Sequence, residues 1–378
     1  MLYLDHAATS PVRPEVLAAM RPFLSGVFGN PSSHHTAGEA AAGALDDARA
    51  RVARVLGMRT GDVVFTAGGT EANNLAVKGI VLAALGTGRR HLVISPIEHE
   101  SILESADYLR RFHAVDITLL PVDARGRIAP DDLAAAIRDD SALVSIGHAN
   151  NEIGTVQDVT ALAAVARAVR VPLHLDAVQS AGWLPLRDLG VDAVSIAGHK
   201  LGAPKGIGAL AVRGRVPVEP LLHGGGQERG RRSGTENVAG AVALATALEL
   251  AETEREAVAA YVGSATARFI SRVLASVPEA ALTGDAEDRL PGTASFTFAG
   301  TGGESILLEL ERRGVISSSG SACAAGSDEP SHVLLACGVD PGLAQTSVRF
   351  TFGREAMPAD APERLGLLVA ESVRAARG

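Results

Sequence analysis

Between residues 63 and 212 the chain alternates short apolar, strand-like runs with alanine-rich helical stretches, and no other feature limits its fold so tightly. The runs fall at 63–66, 91–95, 116–120, 142–146, 173–176, 193–196 and 209–212, with helical stretches such as 131–138 and 159–169 between them. Alternation at these lengths predicts parallel strands joined by crossover helices that cover both faces of one sheet. Ligands of such a sheet sit at the carboxyl ends of its strands, which directs attention to the residues just after each run.

At 378 residues the chain is too long for one small core and suits a large domain with a smaller one attached. Residues 227–235 are rich in glycine and arginine and read as a loop before a long helix from about 235 through 268. The pattern then turns strand-like at 293–298, helical at 304–313, strand-like at 346–351 and helical at the end, which fits a smaller α+β domain. A net charge of −8 and a pI near 5.8 argue against nucleic acid or an anionic membrane as the main partner, because both reward a basic surface. No apolar run approaches the ~18 residues of a membrane span. The first residues, Met1 to Asp5, carry no basic leader, so no signal peptide is expected. Two cysteines, Cys323 and Cys337, make no disulfide framework and fit a reducing cytoplasm.

The chemistry concentrates at the strand ends. Only three lysines stand in the chain, Lys78, Lys200 and Lys205, so an imine with an aldehyde cofactor has three candidates. Lys200 closes Gly198-His199-Lys200 after one strand, while Asp176 and Gln179 follow the strand before it. A pyridoxal-phosphate enzyme needs such a set: a carboxylate to keep the pyridine nitrogen protonated, a donor to the ring oxygen, and an amine for the Schiff base. Gly68-Gly69-Thr70 lies between a strand and a helix, where glycine amides, a hydroxyl and the helix amino terminus can receive a phosphate. The lysine-containing nucleotide loop pattern is absent there. His99 follows the strand at 91–95 and can lie over a pyridine ring and carry protons near neutrality. Asn150 and Asn151 offer neutral donors at the same edge, or form an ordinary turn. Cys323 sits among Ser319, Gly320, Ser321, Ala322, Ala324, Ala325 and Gly326, too small to bury it, and reads as a free thiol on a loop. Cys337, beside Val333, Leu334 and Leu335, reads as a core thiol on a helix, and no paired cysteine motif suggests a metal.

With these motifs in order, from Tyr3-Leu4-Asp5-His6-Ala7-Ala8-Thr9 to Ser347-Val348-Arg349-Phe350, the chain resembles the cysteine desulfurases of the class V aminotransferase family. Gly198-His199-Lys200 marks the wider family, and Ser319-Gly320-Ser321-Ala322-Cys323 marks the group with the long cysteine loop that serves nitrogen fixation and iron-sulfur cluster assembly. The resemblance implies an α/β fold of the aminotransferase-like type I, with a large, mainly parallel domain over 13–258. A small α+β domain would combine 1–12 with 259–378 and carry the cysteine loop.

The same resemblance implies pyridoxal 5'-phosphate as cofactor and L-cysteine as substrate. Lys200 would hold the cofactor and move the Cα proton, Asp176 would pair with the ring nitrogen, Gln179 would donate to the ring oxygen, and His99 would stack on the ring. Gly69, Thr70 and His199 would bind phosphate, with Thr235 reaching the phosphate of the other subunit in a homodimer. Asn151 and Arg349 would grip the substrate carboxylate, and Cys323 would take the sulfur as a persulfide and pass it to an acceptor protein. Two departures stand out. Ala197 occupies the position of the usual phosphate-binding serine, and little tail of the kind used for scaffold docking follows residue 373. A selenocysteine lyase, another class V activity, or a catalytically silent scaffold are the alternative readings.

Overall fold

The computed structural model describes residues 1–319 and 329–377; Cys323 lies outside the described residues. The strands, in chain order, are β1 (Leu2–Tyr3), β2 (Val63–Thr66), β3 (His91–Ile94), β4 (Asp116–Leu119), β5 (Ser141–Gly147), β6 (Leu173–Asp176), β7 (Ala193–Ala197), β8 (Gly208–Val212), β9 (Ala280–Leu282), β10 (Thr293–Phe298), β11 (Val315–Ile316), β12 (Ser318–Ser319) and β13 (Val348–Thr351). All seven expected runs of the large domain are strands. They form one sheet in the order β2-β8-β7-β6-β5-β3-β4. The inner strands are buried on both faces because helices cover both sides, and β4 at the edge is the exposed member.

The sheet is not parallel throughout. β3, β4, β5, β6 and β7 run parallel, but β8 is antiparallel to both β7 and β2. The physical reason lies in the connection from β7 to β8, a compact turn with no crossover helix; a parallel return needs about a dozen residues or more, usually helical. Two successive reversals bring β2 back to the direction of β7, so the glycine turn after β2 still reaches the ligand edge. Because β8 is reversed, its amino end lies there too, and it brings Lys205 and Gly206 with it.

Helix Val238–Ser276 starts three residues later than expected because the Asn237 side chain caps it, accepting from the Gly240 amide at 2.9 Å. It continues past 268 because no breaker occurs before Pro278. Its amino-terminal half, Ala239 to Ala251, packs into the core beneath the large sheet. Its carboxyl-terminal half supplies Val262, Phe269 and Val273 to a second core with Phe296, Phe350 and Phe352. Phe269 meets Phe296, Phe350 and Phe352 edge-on, with ring centroids 6.0, 5.1 and 5.4 Å apart. That core lies under an antiparallel sheet, β12-β13-β10-β9. The chain's first residues reach the same core through Leu4, and β1 pairs in parallel with β11 in a separate two-stranded sheet. β1, β9, β11 and β12 have only two or three residues each, too short to register as an alternating pattern.

Candidate active site

One cavity of about 1020 Å³ opens at the ligand edge of the large sheet, and its lining includes Gly69, Thr70, His99, Asn151, Asp176, Gln179, His199, Lys200 and Arg349. They come from the carboxyl ends of β2, β3, β5, β6 and β7 and, for Arg349, from within the small-domain strand β13. Thr235 is exposed and does not line this cavity. It ends the 227–235 loop, which is pinned by the buried pair of Arg49 and Glu228, with contacts of 2.5 and 2.9 Å, and by the Phe65 amide donating to Glu228 at 3.2 Å.

Asp176 ends β6 with each carboxylate oxygen already receiving one hydrogen bond: the Val178 amide donates at 2.9 Å and the Asn73 amide nitrogen at 2.7 Å. Removal from bulk water raises its pKa, and those donors together with His99 and Lys200 only partly oppose the rise. A carboxylate so placed calls for a further cation. The Nζ of Lys200 donates to the backbone carbonyls of Ala7 and Ala8, the second at 2.8 Å. Gln179 donates to the same Ala7 carbonyl at 3.1 Å. The amino-terminal segment therefore forms one wall of the cavity and orients both the lysine and the amide.

His99 caps helix Glu100–His113, and its Nδ1 accepts from the Ser101 amide at 3.0 Å. That bond leaves Nδ1 without a proton in the neutral ring and places the proton on Nε2. His199 has its Nδ1 3.2 Å from the Thr9 hydroxyl, and burial together with Lys200 and Lys205 lowers its pKa to about 4. It is a neutral ring at physiological pH, able to donate to an anion. Arg349, 1% exposed, donates from Nη1 to the Asn151 carbonyl and from Nη2 to Asp5, both at 2.8 Å. The guanidinium thus already holds one carboxylate, and Asn151 meets it through its backbone.

Gly69 has no room for a side chain: a Cβ there would lie 2.8 Å from Val178 Cγ2 and 3.2 Å from the Ala197 methyl. Gly208 is equally constrained, because a Cβ would lie 2.7 Å from the Gly68 backbone. The start of β8 thus presses on the glycine turn and shapes a cup of backbone amides, with Thr70, His199 and Lys205 beside it. Cup, buried carboxylate and lysine match the phosphate, ring nitrogen and aldehyde carbon of pyridoxal 5'-phosphate, so the residues present fit that group.

Two side chains of this site carried no signal in the sequence reading: Asn73, 103 residues from Asp176 along the chain, and Glu98, buried in the wall. Ala7 and Ala8 lie in the motif over residues 3–9, but no role was read for their carbonyls, and Lys205 was a candidate lysine whose place at the cavity depends on the reversal of β8. The Glu98 carboxyl accepts from the Ser95 hydroxyl at 2.6 Å, and burial pushes its pKa up to about 8.

Fold and site together define a pyridoxal-phosphate enzyme. The class-V aminotransferase family model matches residues 2–361. A cysteine desulfurase IscS from Dictyoglomus turgidum is 45% identical over 93% of this chain and 89% of its own length. An IscS-like cysteine desulfurase from Mycobacterium tuberculosis is 43% identical over 100% of this chain and 98% of its own. Among solved structures, a NifS-like protein superposes with a TM-score of 0.90 at 33% identity, covering 98% of each chain. The chain belongs to the cysteine desulfurases of the class-V aminotransferase family. Among the described residues no helix is long and apolar enough to cross a membrane.

Ala197 is 1% exposed, lines the cavity and touches the glycine cup. A hydroxyl there would add one hydrogen bond to an anion, worth roughly 1.5 to 3 kcal/mol when well aligned. Ala197→Ser is expected to retain cofactor as well as or better than the parent on dialysis, followed by the visible absorbance of the bound cofactor. Faster loss would mean that the Gly69 contact leaves no space for the oxygen and that Lys205 already serves the phosphate.

Proposed function

We propose that this protein is a cytoplasmic, homodimeric cysteine desulfurase that releases L-alanine from L-cysteine and keeps the sulfur on Cys323 for delivery to an acceptor protein, with iron-sulfur cluster assembly among the destinations. The observation that carries this reading is the meeting of Asp176, Lys200 and the Gly69 cup around one cavity whose rim also holds Arg349. In this reading residues 13–258 form the cofactor domain, and 1–12 with 259–378 form the small domain that carries Cys323.

When bound, pyridoxal 5'-phosphate supplies an electron sink for the carbanion at the substrate Cα. The chain's own groups do the rest. Asp176 would keep the ring nitrogen protonated, Gln179 would donate to the ring oxygen, and Gly69, Thr70 and His199 would hold the phosphate together with Thr235 of a second subunit. Lys200 anchors the cofactor and then carries the Cα proton, guided by the Ala7 and Ala8 carbonyls. His99 would stack on the ring, and with its proton on Nε2 it is suited to shuttling protons to or from sulfur. Arg349 and Asn151 orient the substrate carboxylate.

The Cys323 thiolate attacks the substrate sulfur; the Cβ–S bond breaks, an S–S bond forms, and the carbon fragment takes up a proton on Cβ. L-cysteine and one enzyme thiol thus give L-alanine and one enzyme persulfide, with carbon reduced and sulfur oxidised in the same step. The test is the stoichiometry of alanine to sulfide when the holoenzyme is given L-cysteine and a thiol reductant. Equal amounts support the reading. Formation of pyruvate and ammonia, or of a 2-oxo acid in exchange for an amino acceptor, would replace it with a lyase or an aminotransferase.

A further inference from the structure

Shortly after residue 328 the chain is joined to two turns beside the cofactor cavity. The Ser331 hydroxyl, 2% exposed with its residue, donates to Glu152 Oε2 and accepts from the Leu334 amide at 3.1 Å, capping helix His332–Ala336. The next side chain, His332, donates from Nε2 to the Glu98 carbonyl at 3.1 Å. Behind them Val333 and Leu334 pack with Ile97 and Ile153 in a small separate core.

The two turns are also joined to each other. Asn150 donates to the Ile97 carbonyl at 2.9 Å and receives the Glu152 amide at 2.8 Å. Residues 97–99 and 150–152 are therefore tied to each other, and between them they carry both His99 and Asn151. On the other flank of the 320–328 segment, Ser318 pairs with Arg349 across β12 and β13. Glu152 is 4% exposed, and burial raises its pKa. A buried carboxyl is a poor source of stability compared with an apolar residue of the same shape; its use is to specify one geometry.

We propose that Glu152 and Ser331 are a positioning pair for sulfur transfer, fixing the carboxyl-terminal foot of the Cys323 segment to the turn that presents Asn151. The inference rests on the desulfurase reading above. Cys323 precedes Ser331 by eight residues and follows Ser319 by four, so each foot limits where its thiol can go. Extended chain reaches at most roughly 3.3–3.6 Å per residue, which makes the shorter arm about 14 Å and the longer about 28 Å. Ser331 does not line the cofactor cavity, and without its bond Asn150 still ties the turn of Asn151 to Ile97, so its loss leaves the groups that act on Cα in place.

The holoenzyme with Ser331→Ala is compared with the parent and with Cys323→Ser, using two readouts. Solvent exchange of the substrate Cα proton reports the cofactor site, and single-turnover mapping of persulfide on Cys323 reports transfer. Misplacement by about an ångström can slow a reaction roughly a hundredfold, so Ser331→Ala is expected to form persulfide about 10- to 100-fold more slowly with Cα exchange within about twofold of the parent. Glu152→Gln, which keeps an oxygen for the Ser331 hydroxyl, is expected to lose far less. If Ser331→Ala does not fold, Glu152→Met removes the same bond and is read the same way. Equal slowing of both readouts, or of neither, overturns the pair. Alanine release by Cys323→Ser at the parent rate sinks the desulfurase reading itself, whereas an inactive Cys323→Ser beside a fully active Ser331→Ala sinks only the positioning pair.

Discussion

Purified Lys200→Ala protein is expected to contain no cofactor that borohydride can fix to the chain, and to show no measurable Cα proton exchange. Three lysines compete for the role, and the structure separates them. Lys78 is engaged outside the cavity, donating to Asn74 Oδ1 at 2.7 Å and lying 4.5 Å over the Tyr108 ring. Lys205 is the serious competitor, because the reversed β8 brings it to the same cavity. It stands three residues before Gly208, which presses on the Gly68 backbone, while Lys200 is held against the Ala7 and Ala8 carbonyls near Gln179. A phosphate contact and an imine make different demands: the first needs a charged amine, the second a neutral one within reach of the aldehyde carbon. Mass mapping after borohydride treatment decides the matter. A reduced adduct on Lys205 in the variant, with exchange retained, would remove Lys200 from its role.

The second large effect separates the two thiols. Cys323→Ser is expected to keep the spectrum of the bound cofactor and still bind L-cysteine, yet release almost no alanine and carry no persulfide after one turnover. Cys337→Ala is expected to keep most of its activity. Cys337 is 8% exposed, packed with Ile97, Ile153 and Leu334, and burial pushes its thiol up to about 11. It is therefore protonated near neutrality and unsuited to attack sulfur. Its removal leaves a small cavity, costing about 1 to 2 kcal/mol. Persulfide found on Cys337, or alanine formed by Cys323→Ser at the parent rate, contradicts the proposed transfer step.

The strand-end residues were legible because strand periodicity is local. Asp176, His99 and Lys200 each follow a buried apolar run, and a sheet of like-directed strands carries such positions to one edge without any knowledge of the packing. The core thiol at Cys337 was legible for a similar reason, its apolar neighbours being sequence neighbours. Thr235 is different in kind: it lies away from this cavity, so its proposed role depends on a second copy of the chain.

What the sequence by itself determined, then, is which polar groups follow the strands and the edge on which they gather, since both follow from residue type and from local periodicity. Tertiary structure alone decided the direction of β8, and with it the place of Lys205. It also decided that Asn73 would support Asp176, that the Ala7 and Ala8 carbonyls would hold Lys200, and that Ser331 would meet Glu152. Those partners stand 103, 193, 192 and 179 residues apart along the chain. Such contacts leave no periodic trace, because they arise where separately formed elements pack and each buried polar group must find a partner.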